Sequence, residues 1–475
     1  MKRLLFICIG LFFFFDAAAQ AYKIDPIVRD SGFNVSNFKV IKNVQLIGNK
    51  VTKAKIIKRE LTFDIGDTLK NDELVAALEQ SRKNILNTSL FNFAKIDIAM
   101  LDSTQVLLVI NLVERWYIFP LPIFEIDDNN FNTWWRDKDF SRINYGIQAT
   151  HDNFTGRKDK LSITAKYGFT ERYRIKYSIP YIDRKQKSGL SFSFSYNRRD
   201  EIVYTTLGNE RLQYKNENND ALRNYSGGVS YQLRKKIFNT HTFGVEYDYN
   251  TVVDSVVLLN PNYLGSSSTE SEFISLFYSF TNDKRDSKNY PLKGHYFNIN
   301  VRKYGLGLFE NTVDLTNFQV HFKKFVPLST RFYFAGSVRG VVAANNNQPY
   351  LLQNGLGYSS FSIRSYEYYV IDGQDIGLAK LQLRYQLVKP RSTDIGILSD
   401  RIGKFHYAFY LGIFSDFGYV QDNTGFEENN LANTMQYGSG IGLDFVSYYD
   451  IVIRSEFAVN KFGESGFFLH FVAPI

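Results

Sequence analysis

Apolar and small polar residues alternate along most of this chain, and this period of two constrains the fold more than any other feature. In the stretch LSFSFSYNRRD, residues 190–200, Leu190, Phe192 and Phe194 alternate with serines. A β-strand points successive side chains to opposite faces, so this stretch has one apolar and one polar face. In a soluble sandwich the aromatic rings would point into a core. In a membrane barrel they would face lipid, and the serines would line a wet lumen.

The region from Trp116 to the C terminus decides between these two folds. It contains about sixteen alternating segments, and many reach the roughly 9–11 residues that a tilted strand needs to cross a bilayer. Short connections at 168–172 and 327–330 separate longer polar ones at 259–272 and 421–433, as periplasmic turns separate outer loops. Lipid cannot satisfy an open sheet edge, so such a sheet must close. The pattern predicts an all-β transmembrane barrel of about sixteen antiparallel strands. A soluble sandwich or propeller is disfavoured, because neither blade-length repeats nor pervasive glycine punctuation occur.

The N terminus has the order of residues that is typical of a secretory signal. Two basic residues precede an apolar run at 4–15, and alanines at 17–19 offer a cleavage site. We predict a signal peptide over residues 1–19 and a flexible leader over residues 20–37, rather than a buried N-terminal helix. The only cysteine, Cys8, lies in the signal, so the mature chain has no disulfide.

Composition and charge agree with export to a membrane. Aromatic residues make up 16% of the chain, yet the mean hydropathy is −0.25. No later stretch approaches about 18 consecutive apolar residues, so the sequence predicts no helical membrane span. The net charge of +8 can indicate a nucleic-acid partner, but no run of five basic residues occurs. We therefore expect no nucleic-acid partner and a mildly cationic lumen or periplasmic face.

Residues 38–115 mix the two periods and predict a separate small α+β domain. The expected order is strand, helix, helix, strand, strand. Thr52 and Asn71 are placed to cap the two helices, and Gly66 is placed in a turn between them. Helical periodicity disappears at Trp116, so the barrel is expected to occupy residues 116–475.

A search for catalytic or metal-binding patterns finds none with the required spacing. The six histidines are scattered, and neither a glycine-rich phosphate loop nor a G-x-S-x-G motif occurs. Ser359 and Ser360 have no identifiable His/Asp partnership, and Asp127 and Asp128 fit solvated loop charges. We expect no cofactor, no metal and no enzymatic activity.

Three other stretches combine charges with turn residues or aromatics. The first contains Asp283, Arg285, Asp286, Pro291 and Gly294. The second is a long connection at about residues 345–375, where Arg364 is flanked by aromatics. A loop of this length is usually functional or disordered, and its aromatic content argues against disorder. The third places Asp416 and Gly418 near the end of a later strand.

In the order and spacing of these stretches, the chain resembles the BamA/TamA-type superfamily, which includes two-partner secretion transporters. Its members join periplasmic POTRA domains to a sixteen-stranded barrel. Residues 38–115 are similar to a single POTRA domain at Val44, Gly48, Asn49, Ile56, Gly66, Leu86 and Phe91. The stretch from Asp283 to Gly294 resembles the family's strand-turn signature. The tetrapeptide IRSY, residues 363–366, resembles its V-R-G-F/Y loop tip.

The resemblance implies a role for Arg364. It would fold back into the lumen and pair with a strand carboxylate, for which Asp416 is the match. Gln382 is a second candidate partner, neutral where the family often has a glutamate. Ser365 stands where the family usually has glycine, which bears on how tightly the tip turns between Ile363 and Tyr366. The alternative is an ordinary solvated loop arginine.

The resemblance also implies a function, namely the insertion or translocation of client proteins at the outer membrane of a Gram-negative bacterium. The POTRA domain would lie in the periplasm, and its sheet edge would bind an extended client by β-augmentation. The first and last barrel strands, at 116–126 and 466–472, would form a weak seam. The expected partners are outer-membrane lipids, unfolded clients, and periplasmic chaperones or accessory lipoproteins. A passive or gated pore is the alternative function, and an outer-membrane enzyme is the third.

Overall fold

The structure of the protein is a computed structural model. It describes residues 37–126, 134, 138–183, 185, 187–216, 220–236, 238–288, 290–309, 313–345, 348–358, 361–394, 404–423, 429–447 and 452–470. The predicted signal peptide and the four loop residues Asp127, Asp128, Ser359 and Ser360 lie outside the described residues. Two compact units share the described chain. The first comprises residues 37–47, 61–84 and 94–112, and the second comprises residues 48–60, 85–93 and the described residues from 113 onward.

The N-terminal part contains a four-stranded mixed sheet with the order β2-β1-β4-β3. Its elements are β1 (Phe38–Ile47), α1 (Ala54–Lys58), β2 (Thr68–Lys70), α2 (Asn71–Asn87), β3 (Phe91–Met100) and β4 (Gln105–Glu114). Strand β1 runs parallel to β4 and antiparallel to β2. The buried apolar side chains of the first unit include Ile41, Val44, Leu74, Leu78, Val106, Leu108 and Ile110. A small α+β fold is therefore confirmed.

Three local details of this part differ from the sequence analysis. The predicted cap Thr52 is not at the N-cap of α1, because Lys53 takes that position without a side-chain hydrogen bond. Asn71 is the first residue of α2, with Asp72 and Glu73 in the first turn, where carboxylates stabilise a helix N terminus. The predicted turn around Gly66 leads into the short strand β2, which pairs with β1.

Sixteen strands form one large antiparallel sheet, as predicted. They are β5 (Ile118–Ile126), β6 (Ile143–Asp152), β7 (Lys160–Gly168), β8 (Thr170–Ile179), β9 (Ser188–Arg199), β12 (Leu222–Lys236), β13 (Asn239–Val252), β14 (Glu270–Asp283), β15 (Gly294–Tyr304), β16 (Leu315–Pro327), β17 (Phe332–Ala343), β20 (Asp375–Asp394), β21 (Lys404–Gln421), β22 (Gln436–Ser447), β23 (Val452–Asn460) and β24 (Ser465–His470). Each strand pairs with its sequence neighbour in this series, which is the order expected of an up-and-down barrel.

The connections carry small elements of their own. The hairpin β10 (Glu201–Leu207) and β11 (Glu210–Lys215) lies between β9 and β12. The pair β18 (Asn354–Leu356) and β19 (Ile371–Gly373) lies between β17 and β20. A short helix, α3 (Asp254–Leu259), and the 3₁₀ turns Phe140–Arg142 and Tyr350–Leu352 lie in other connections. No helix in the described part of the chain has the length and apolarity to cross a membrane.

The alternation along the barrel strands separates a lipid face from a lumenal face. On β9, Phe192 and Phe194 are 41% and 51% exposed on the protein alone, whereas Ser195 is buried. The Ser195 hydroxyl lies 2.8 Å from that of Ser226 on β12. The lumenal positions of β20 are also polar and buried: Lys380, Gln382, Arg384 and Gln386. The phenylalanines of LSFSFSYNRRD therefore face lipid, and its serines face the lumen.

The connections alternate between the two ends of the barrel, because the strand direction reverses at every step. One end, which we call the turn end, includes the connections 284–293 and 328–331. The other, which we call the loop end, includes the long connection 344–374. The connection between β7 and β8 is Phe169 alone, and it lies at the loop end. The assignment of residues 168–172 to a periplasmic turn was therefore wrong, since a short connection does not by itself reveal its end.

The predicted seam strands differ slightly in their bounds. The first barrel strand begins at Ile118 rather than Trp116. The described part of the last strand begins at Ser465 and reaches His470, and the predicted end at Val472 lies outside the described residues.

We expect arginine to be tolerated much less on the lipid face of β9 than on its lumenal face. Phe194→Arg should cost about 2–4 kcal/mol, because it places a charge in hydrocarbon near the middle of the strand. Ser193→Arg, on the neighbouring lumenal position, is the matched control and should be mild. Folding yields in lipid vesicles measure both, and equal yields would contradict the facing assignment.

Candidate functional site

The connection 344–374, which we call the lumenal loop, begins at the loop end and packs inside the barrel. It shares an apolar cluster with the strands, formed by Val341, Leu356, Phe361, Ile363, Tyr366, Ile371, Ile376, Leu378, Val420 and Ala432. Near the loop end, Asn209 of the β10–β11 hairpin accepts from the Val370 N–H at 2.9 Å and returns its side-chain amide to the Val370 carbonyl at 3.2 Å. Apolar packing and these hydrogen bonds order the loop around its polar tip.

Arg364 lies at the tip of the lumenal loop and is only 2% exposed. Its Nε donates to Asp416 Oδ2 at 2.8 Å, and its Nη2 donates to Asp416 Oδ1 at 2.5 Å. The backbone N–H of Arg364 also donates to Asp416 Oδ2, at 3.1 Å. Asp416 lies on β21 and is 0% exposed. A bidentate, fully buried ion pair with a third hydrogen bond therefore fixes the loop tip to the barrel wall.

Two further groups contact the Arg364 guanidinium, and a third contacts Asp416. Its Nη1 donates to Glu456 Oε1 on β23 at 3.3 Å. The Phe414 ring lies against its face, with 3.7 Å between Cζ and the ring centre. Lys380 Nζ is 3.8 Å from Asp416 Oδ2. The planar fork of arginine suits this place, because its edge meets carboxylates while its face stacks on an aromatic ring.

The backbone of the tip requires both an unusual conformation and open space. Ser365 has a φ of 81°, in the left-handed region that favours glycine. The tip approaches two wall glycines closely. A Cβ at Gly438 would lie 2.1 Å from the Arg364 carbonyl oxygen, and one at Gly418 would lie 2.4 Å from Ile363 Cδ1. The tight turn therefore persists with serine in place of glycine, and two wall glycines make room for it.

Gln382, named above as a second partner of Arg364, serves other side chains. Its Oε1 accepts from Arg384 Nε at 3.2 Å and from Arg454 Nη2 at 3.4 Å. The second carboxylate beside Arg364 is Glu456, which sequence reasoning missed. A signal was present, since Arg454 and Glu456 occupy alternate positions of one strand and share its lumenal face.

Tyr366 and Glu367 extend the contacts of the tip. Tyr366 Oη donates to Gln436 Oε1 at 3.1 Å. Glu367 Oε1 lies 3.6 Å from His470 Nε2, and Glu456 Oε2 lies 3.1 Å from the same nitrogen. Burial raises the pKa of the Glu367 carboxyl, because the charged form loses its hydration. The tip thus reaches the last described barrel strand through His470.

The strand-turn stretch lies at the turn end and closes on itself. Arg285 donates through Nε and Nη2 to the two carboxylate oxygens of Asp283 at 2.8 and 2.7 Å. Asp286 Oδ1 accepts from the Leu292 N–H at 3.1 Å. Gly294 has a φ of 104°, and a Cβ there would lie 2.0 Å from the Lys284 carbonyl oxygen, so glycine is required.

The arrangement is suited to holding a segment of chain in place. Asp416 contacts the cations Arg364 and Lys380. The Arg364 guanidinium contacts Asp416, Glu456 and the face of the Phe414 ring. Within the described residues, no group of three or more His, Cys, Asp or Glu side chains could hold a metal ion. The contacts at the tip, hydrogen-bonded ion pairs and ring stacking, are those of recognition and anchoring.

A small α+β domain, a sixteen-stranded sheet with a lipid face, and an anchored lumenal loop define an outer-membrane β-barrel protein with a POTRA-type domain. Residues 153–448 match the Omp85 superfamily domain, and residues 39–115 match POTRA, the surface antigen variable number repeat. The first match covers more than half of the chain, so the chain belongs to the Omp85 superfamily. The resemblance stated from the sequence is confirmed, and the family places the protein in the bacterial outer membrane with its POTRA domain in the periplasm.

Solved structures support the fold. BamA from Haemophilus ducreyi lacking POTRA domains 1–3 is similar with a TM-score of 0.64 and 15% identity, over 93% of this chain and 84% of that one. CdiB from Escherichia coli is similar with a TM-score of 0.53 and 11% identity, over 91% of this chain and 75% of that one. No curated protein matches the sequence.

We expect Ser365→Gly to stabilise the protein by up to about 1 kcal/mol. Glycine relieves about 1–2 kcal/mol of left-handed strain, partly offset by the greater freedom of the unfolded chain. The substitution also removes a buried hydroxyl that has no hydrogen-bond partner in the structure. The midpoint of heat-induced unfolding in detergent micelles measures the effect. Ser455→Gly, on an extended strand, is the control and should destabilise by about 0.5–1 kcal/mol. A lower midpoint for Ser365→Gly would contradict the strain argument.

Proposed function

We propose that this protein inserts or translocates client proteins at the outer membrane. The observation that carries the proposal is the buried Arg364–Asp416 pair, which anchors the long loop inside the lumen of an Omp85-superfamily barrel. Apolar packing holds the body of this loop, whereas charged contacts hold its tip. We propose that the tip is released and recaptured through these contacts during transport. The partners in this role are unfolded client proteins and outer-membrane lipids, with periplasmic chaperones or accessory lipoproteins delivering the clients.

The first barrel strand supports a client-binding seam. Strand β5 carries Pro120 and Pro122, which pair with Ala149 and Ile147 of β6. Proline has no N–H to donate, and within sheets it lies on edge strands with its nitrogen facing away from the paired neighbour. Because N–H groups two residues apart point the same way, both missing donors face the side of β5 that is opposite β6. A seam on that side has fewer hydrogen bonds to break, so we propose that an extended client strand enters there.

The POTRA sheet supports a second contact with extended clients. Its edge strands are β2 and β3, of three and ten residues. Strand β3 exposes Phe93, Ile98 and Met100. A long edge with exposed apolar side chains can bind an extended segment by β-augmentation. We propose residues 38–115 as the domain that performs this step.

Reconstitution in lipid vesicles tests the function directly. The purified protein should accelerate the folding of a urea-unfolded outer-membrane barrel into the vesicles, relative to empty vesicles. Ion conductance without any gain in client folding or translocation would favour a passive pore instead. Cleavage of lipid or peptide in the same vesicles would favour an enzyme, and either result would overturn the proposal.

We expect Arg364→Ala and Asp416→Ala each to impair client folding while the barrel still forms. Loss of one partner of a buried ion pair costs about 3–5 kcal/mol, because the other charge stays uncompensated. Arg364→Lys should rescue poorly, since lysine has no bidentate fork. The double alanine variant should be little worse than either single variant, because the two residues act as a pair.

Client folding and growth complementation measure these variants, and heat-dependent gel migration shows whether the barrel formed. Asp248→Ala is the matched control, because it removes a carboxylate on β13 that lines a cavity with Leu351 and Leu352 and not with Arg364 or Asp416. It should retain activity. Full activity of Arg364→Ala, or additive defects in the double variant, would rule out the anchoring role.

A further inference from the structure

The connection 284–293 at the turn end inserts a tyrosine into the lumen. Tyr290 is 6% exposed and packs with Ala408, Tyr410 and Val452. Its Oη donates to Asp444 Oδ2 on β22 at 2.6 Å. Burial raises the pKa of the Tyr290 hydroxyl well above its usual value, so it remains a neutral donor to this carboxylate.

The backbone beside Tyr290 is anchored as well. The Pro291 carbonyl accepts from Arg384 Nη1 at 3.1 Å. The Arg384 guanidinium also lies over the Tyr290 ring, with 4.5 Å between Cζ and the ring centre. The turn therefore has two polar contacts with the lumenal wall, one through Asp444 and one through Arg384.

Both contacts lead through short steps to the tip of the lumenal loop. Asp444 accepts from Arg454 Nε at 2.5 Å and from its Nη2 at 2.9 Å. Arg454 Nε is 3.8 Å from Glu456 Oε1, and the same oxygen accepts from Arg364 Nη1 at 3.3 Å. The second path runs from Arg384 through Gln382 Oε1 to Arg454.

Gly412 of the barrel wall leaves space for Gln382, the middle residue of the second path. A Cβ at Gly412 would lie 2.7 Å from Gln382 Nε2. Gly412 lies on β21 between Tyr410, which contacts the turn, and Phe414, which contacts the loop tip. The turn and the tip enter from opposite ends of the barrel, and on β21 they contact the lumenal positions on either side of Gly412.

We propose that Tyr290 is a positioning residue for the loop tip, so that displacement of the turn at one end of the barrel weakens the docking of Arg364 from the other end. The proposal rests on the proposed function only in that tip docking matters for transport. Removal of the Tyr290 hydroxyl takes away one of the contacts that position the Asp444 carboxylate. Asp444 and Arg454 can then shift, and with them Glu456, which contacts Arg364. Coupling of this kind typically changes an equilibrium by about 5-fold or more.

The sequence supplies a direct readout of tip docking. Arg364 is the only lysine or arginine between residues 344 and 374. Trypsin can therefore cut the lumenal loop only after Arg364, whose side chain is 2% exposed when docked. The rate of that single cleavage in folded protein reports the undocked fraction of the loop tip.

The test compares Tyr290→Phe with Tyr333→Phe in the full-length protein in lipid vesicles. Tyr333 lies at the same end and its ring is 6.3 Å from that of Tyr410, but its hydroxyl donates to the Thr330 carbonyl instead of the lumenal charges. Tyr290→Phe keeps the ring and should raise cleavage after Arg364 by about 5-fold or more, while Tyr333→Phe should leave it unchanged. Equal cleavage in both variants and the parent protein would overturn the proposal.

A double-mutant cycle of Tyr290→Phe with Arg364→Lys separates coupling between the turn and the tip from a general loosening of the barrel. The cycle can be measured by the same cleavage, because trypsin cuts after lysine as well. If the turn acts through the tip contacts, Tyr290→Phe should have a smaller effect in the Arg364→Lys background than in the parent. If the two substitutions change the cleavage rate independently, so that their effects multiply, the proposal is overturned. Arg384→Gln provides the same comparison if Tyr290→Phe lacks the heat-dependent gel migration of a folded barrel. Client folding is measured separately. If Tyr290→Phe raises cleavage after Arg364 as expected but the parent protein folds no client, the proposed function is rejected and this inference stands.

Discussion

A guanidinium and a carboxylate withdrawn from water, Arg364 and Asp416, determine much of how this lumen is built. A charge buried without compensation costs several kcal/mol, so each buried cation needs nearby acceptors. Strands β21, β22 and β23 supply those acceptors as Asp416, Asp444 and Glu456. The lumenal face of the neighbouring wall is consequently occupied by charged and polar side chains, and Gly418 and Gly438 leave the space that the loop tip needs. Around β9 and β12 the lumen instead has a cavity that is lined by serines together with Arg174, Lys176, Glu246 and Arg302.

Much of the fold follows from side-chain periodicity, because a strand in a barrel wall meets lipid on one side and water or polar protein on the other. That physical contrast is large, so it is repeated in every strand and survives local irregularities. It correctly assigned Phe194 and Ser195 to opposite faces. The periodicity did not predict the short strand β2 or the N-cap at Lys53. A strand of three residues and the backbone conformation of one residue are too short to produce a hydrophobic pattern.

At the site, the sequence brought Arg364 and Asp416 to attention but not the contacts between them and the rest of the lumen. Pairing across distant strands depends on register, which a single sequence does not determine. Nothing in the local sequence distinguishes Glu456 or Tyr290. Their contacts with the lumenal charges form only because β22, β23 and the turn at 284–293 lie side by side. Gln382 was considered as a partner of Arg364 for the same reason. In the structure its side-chain oxygen accepts instead from Arg384, two residues further along the same strand.

The single-residue connection at Phe169 gives the outward-facing rim an uneven height. The connection between β23 and β24 at the same end is also short, at residues 461–464, whereas residues 200–221 and 253–269 form long connections elsewhere on the rim. Antibodies or bacteriophages that approach from outside the cell would therefore meet residues 200–221 and 253–269 before they meet the short connections at Phe169 and 461–464.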